Sequence, residues 1–79
     1  MPNTPNETVI ESAREAAKIE FMYRDDDRAP LPVASVEKRD GRWVAVMPFG
    51  GYTYRVADEA QANLFKEVFD AHVAELCGG

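Results

Sequence analysis

The sequence predicts an α+β domain: one antiparallel sheet of three or four strands with an N-terminal and a C-terminal helix, in the order αββββα or, alternatively, αβββα. Three observations predict it. Glu7, Glu11 and Glu15 recur every four residues opposite an apolar stripe near the start. An Asp40-Gly41 dipeptide divides two strand-like segments in the middle, and apolar residues recur at helical spacing from Leu64 to Leu76.

Met1 to Asn6 contains two prolines and two asparagines, so residues 1–5 are expected to form a flexible lead, with Thr4 or Asn6 capping the first helix. Val9, Ile10, Ala13, Ala16 and Ala17 share a helical stripe, which predicts that helix from about Asn6 to Ala17. If it continued past Lys18, Glu20 would project from the apolar stripe and Ile19 and Met22 would leave it. Read with period two, Ile19, Phe21 and Tyr23 share one face and Glu20, Met22 and Arg24 the other, which predicts a strand over 18–24; the competing reading is one helix to Arg24. Asp25, Asp26, Asp27 and Arg28 form a charged loop, and Pro30 and Pro32 keep helix from resuming.

Val33 to Arg39 and Arg42 to Met47 read as strands joined by a type I′ turn at Asp40-Gly41. That register sets Lys38 opposite Trp43, Val36 opposite Ala45 and Ala34 opposite Met47. Pro48 ends the pairing, Gly50 and Gly51 turn the chain, and Tyr52 to Val56 reads as a further strand. Asp58 with Gln61 forms an acidic capping box for a helix over 58–76. Its apolar face holds Leu64, Phe65, Val68, Phe69, His72 and Leu76, and its polar face Glu59, Asn63, Lys66, Glu67 and Asp70. Gly78 and Gly79 supply a stop signal.

At 79 residues the chain is expected to be one small domain, with no room for a second core. The net charge of −5 is unevenly spread, with residues 1–30 at −3, 31–56 at +2 and 57–79 at −4. Such a balance disfavours general nucleic-acid binding and attracts basic proteins. The single cysteine, Cys77, allows no internal disulfide. The chain has no apolar run long enough for a membrane span and a polar start, so a cytoplasmic protein without membrane contact is expected.

No catalytic residue, metal or cofactor is predicted. His72 sits between Val68 and Leu76 on an apolar face, where a hydrogen-bonded structural histidine is expected, with Glu75 as a partner three residues on. Cys77, five positions from His72, points elsewhere around the helix axis, and the Asp25–Asp27 cluster lacks the pattern of a calcium loop. Gly50 and Gly51 have no following lysine or helix to make a phosphate cradle. Arg42, Trp43, Tyr54 and Arg55 place basic and aromatic groups on adjacent strands, a composition suited to gripping phosphate and stacking bases.

The segment Ile19, Phe21, Tyr23, with Pro32, the run Gly41-Arg42-Trp43 into Val44-Ala45-Val46, and Tyr54-Arg55-Val56, resembles a WYL domain over Lys18 to Val56. These are small Sm-like barrels of bacterial transcription regulators and some defence-associated proteins. The family's signature position reads Trp43-Val44-Ala45 here. The resemblance implies that Arg55 helps bind a nucleic-acid or nucleotide-like ligand. The αβββα order is also that of double-stranded-RNA-binding domains, but these place lysines at the start of the last helix, where this chain has Asp58 and Glu59.

The function expected is that of a small, acidic, non-enzymatic regulator or inhibitor that docks on a protein partner with a basic surface through Glu59, Asn63, Lys66, Glu67 and Asp70. A nucleic-acid-binding protein or a host-defence complex suits that role as target. Small acidic phage proteins that disable host defences offer an analogy of size and charge. The alternative is a WYL-like module sensing a ligand or nucleic acid through Arg42, Trp43, Tyr54 and Arg55. A homodimer is compatible with so small a core.

Overall fold

The computed structural model describes residues 5–23, 31–51 and 53–78. The chain runs α1 (Pro5–Met22), β1 (Ser35–Arg39), β2 (Arg42–Val46), β3 (Thr53–Arg55) and α2 (Glu59–Leu76), with one antiparallel sheet in the order β1-β2-β3. This is the shorter of the two expected orders, and the fourth strand is not present among the described residues. The charged loop at 25–28, Tyr52, and the expected lead apart from Pro5 lie outside the described residues. Pro5 itself belongs to the first turn of α1, where a missing N–H breaks no helical hydrogen bond.

The strand expected over 18–24 is helix as far as Met22. Tyr23 closes α1 by donating its N–H to the carbonyl of Glu20 at 3.1 Å. Both consequences that weighed against a longer helix are present. Met22 leaves the stripe and is 79% exposed, while Glu20 joins Val9, Ala13, Ala16 and Ala17 in the interior at 0% exposed. An unpartnered carboxylate there would cost several kcal/mol. Main-chain donors satisfy it instead. Glu20 accepts from the N–H of Phe49 at 3.0 Å and from that of Gly50 at 2.8 and 3.0 Å, anchoring the β2–β3 connection to the end of α1. Helix periodicity continues through Glu20; the change lies in the chemistry of the surface that the stripe meets.

The hairpin follows its predicted register, with Lys38 paired to Trp43 and Val36 to Ala45. Asp40 (φ 51°) and Gly41 (φ 77°) both take the left-handed backbone that a type I′ turn requires. The ladder begins at Ser35, so the Ala34–Met47 pairing falls outside it, although both side chains are 1% exposed. Main-chain groups of Ala34 are taken by α2 instead. Its N–H donates to Oδ1 of Asp70 at 3.0 Å, and its carbonyl accepts from Nζ of Lys66 at 2.8 Å.

Asp58 caps α2 by accepting from the N–H of Gln61 at 2.9 Å, and Oε1 of Gln61 accepts from the N–H of Ala57 at 3.0 Å. The reciprocal pair is therefore a capping box one residue wider than usual. The buried face of α2 centres on Ala62, Phe65, Phe69 and Val73, rotated from the expected one, with Leu64, Val68 and His72 half-buried and Leu76 exposed. This rotation follows from α2 having two neighbours. α1 packs on one side of it, while β1 and β2 lie on another, where Tyr54 stacks on Phe65 at 4.9 Å between ring centroids. No helix among the described residues is long and apolar enough to cross a membrane.

Candidate functional site

The residues singled out from the sequence are distributed over different surfaces. Of the five expected to meet a partner, Glu59, Asn63 and Glu67 are exposed on α2. Lys66 and Asp70 are half-buried and bonded to one another, Nζ to Oδ2 at 2.7 Å, as well as to Ala34. Those two side chains fasten the helix to the edge of the sheet, leaving Glu59, Asn63 and Glu67 as the freely presented part of that set.

The second set is split by strand alternation. Trp43 and Tyr54 face the helices, Trp43 beneath Nζ of Lys38 at 5.9 Å from the ring and Tyr54 against Phe65. Arg42 and Arg55 project from the opposite face of the sheet, where the register sets Arg55 beside Val44. The four residues thus form no single patch. Of the segments behind the WYL resemblance, Ile19 and Phe21 are helical, while Trp43 and Tyr54-Arg55 lie on β2 and β3.

An open groove of about 910 Å³, which no single residue of the sequence signals, runs between α1 and α2, floored by Ile19, Tyr54, Phe65 and Val68 and bordered by Glu11, Arg14, Glu15, Lys18 and Glu75. It exists because Ala16 on α1 and Ala71 on α2 line it with little side chain. Glu11 and Glu15 of α1, at i,i+4 spacing, border it on one side and Glu75 of α2 on the other. Glu59, Asn63 and Glu67, the three exposed members of the predicted docking set, lie on α2 outside the groove lining.

His72 also lines this groove. Its Nδ1 lies 3.4 Å from Oε2 of Glu75, the partner expected from the spacing, but its Nε2 is buried with no hydrogen-bond partner. Ser12 lines the same groove, a neighbour that the sequence separation of sixty residues conceals. Because Nε2 makes no hydrogen bond, Ser12 and His72 are not joined as nucleophile and base. Cys77 is exposed at the C-cap of α2, and no group of three His, Cys, Asp or Glu among the described residues is arranged to hold a metal. Comparison with protein-family models, with curated proteins and with solved structures finds no match.

Proposed function

We propose that this chain is a non-enzymatic regulator or inhibitor that docks its helical layer on a protein with a basic surface. Charge segregation between the two layers carries this reading. α1 has four carboxylates against two cations and α2 four against one, while residues 35–55 hold Lys38, Arg39, Arg42 and Arg55 against Glu37 and Asp40. A field of that asymmetry orients a basic partner toward the helices before contact. The groove between the two helices then offers Ile19, Tyr54 and Val68 to an apolar side chain of the partner. A nucleic-acid-binding protein is the kind of target this suits, since an acidic ridge with an apolar centre can occupy a surface built for phosphate.

The test is capture of the partner from the native host, followed by association kinetics with Glu67→Lys combined with Glu75→Lys. Association should slow about tenfold at low ionic strength, and the difference should shrink as salt is raised. A captured partner that is itself acidic, or rates indifferent to both reversals, would sink the reading.

A further inference from the structure

The outer face of the sheet, turned away from α2, holds an arrangement that the helical layer does not account for. Strand alternation brings Arg39, Arg42 and Arg55 to this face, and together with Asp40, Val44 and Thr53 they line a concavity of about 450 Å³. Arg39 and Arg42 stand directly opposite one another in the ladder, where like charges repel. Arg39 is taken by Glu37 in an ion pair. Arg42 and Arg55 have no carboxylate within ion-pair distance among the described residues. In a chain of net charge −5, two guanidinium groups therefore share a hollow in which Asp40 is the one acidic lining residue and no described carboxylate is ion-paired with either of them.

We infer that this hollow binds the phosphoryl group of a small ligand through Arg42 and Arg55, with the Thr53 hydroxyl as a further donor. A guanidinium presents parallel N–H groups that match two oxygens of a phosphoryl group, and two such forks balance a dianion better than they balance a single carboxylate. The surroundings select a compact ligand over a polynucleotide. Trp43 and Tyr54 lie on the opposite face of the sheet, so neither ring is placed to stack a base here. The net negative charge also repels an extended polyanion, whereas one phosphoryl group meets mainly the local field of the arginines. The site shares no residue with the helical groove and stands or falls independently of it.

Titration of the isotopically labelled full chain with inorganic pyrophosphate at constant ionic strength, followed by NMR, tests the inference. Saturable shifts are expected at the amides of Val44, Thr53 and Arg55, with the apparent Kd raised about tenfold or more in Arg42→Gln combined with Arg55→Gln. Arg39→Gln, whose arginine is already engaged by Glu37, should change the Kd far less. Arg42→Lys with Arg55→Lys keeps the charge and removes the forks, so it should also weaken binding and serves should the glutamine pair fail to fold. Absence of saturable shifts, equal binding by wild type and a folded arginine double variant, or tighter binding of a short oligothymidylate than of pyrophosphate would each overturn the proposal.

Discussion

Each helix lends a carboxylate to main-chain N–H groups at the sheet, and the two do so in opposite surroundings. Glu20 of α1 is completely buried and meets only the amides of Phe49 and Gly50. Asp70 of α2 keeps 29% of its side chain exposed and divides its oxygens between the amide of Ala34 and the ammonium of Lys66. Water can replace part of what Asp70 does but has no access to Glu20. The same chemical device is thus an irreplaceable anchor in one place and an adjustable clamp in the other.

The largest expected effect is at Glu20. Glu20→Ala leaves the amides of Phe49 and Gly50 without their acceptor and opens a void where the buried side chain stood, and should lower unfolding free energy by about 3 kcal/mol or more, read by urea denaturation. Glu20→Gln retains one acceptor oxygen and should lose less than the alanine variant. A loss no greater than that of Asp70→Ala would erase the contrast between the two anchors.

Gly41→Val adds a reference in which strain, rather than a long-range anchor, is altered. A β-branched residue resists the φ of 77° at Gly41, so a loss of about 1–3 kcal/mol is expected in the same experiment. An unchanged midpoint would show that the hairpin does not depend on that turn.

Asp70→Ala should cost about 1–2 kcal/mol, because the exposed side of the clamp can rehydrate. The coupling between Lys66 and Asp70 in a double-mutant cycle should be smaller still, about 0.5 kcal/mol, and should fall as ionic strength rises. The penalty of Glu20→Ala, which involves uncharged main-chain donors meeting a buried side chain, should hardly respond to salt. Equal salt sensitivity at the two sites would mean that their solvation is alike.

The hairpin was legible because its information is local. Asp40 and Gly41 determine the turn, and alternation then fixes which side chains share a face. The end of α1 was not legible for the opposite reason. A glutamate in an apolar stripe looks like the end of a helix until the donors that meet it are known, and Phe49 and Gly50 lie about thirty residues away. The polar row of α2 was read correctly as a row, but the inward roles of Lys66 and Asp70 depend on Ala34, more than thirty residues earlier. The groove needed α1 and α2 side by side. Its only trace in the sequence is the set of alanines in the apolar stripe of α1, which marks a face with little side chain without saying what lies beside it.

Those alanines place cohesion and recognition in competition. Ala16 is 6% exposed, packs in the core and also lines the groove, so its small size serves both the seam and the opening. A leucine there would add apolar burial worth about 0.8 kcal/mol per methylene and would fill the space offered to a partner. Selection for thermal robustness alone would therefore favour larger residues along α1 and, with each one, a blunter surface. A sparse interior is the condition under which this molecule keeps a cleft at all.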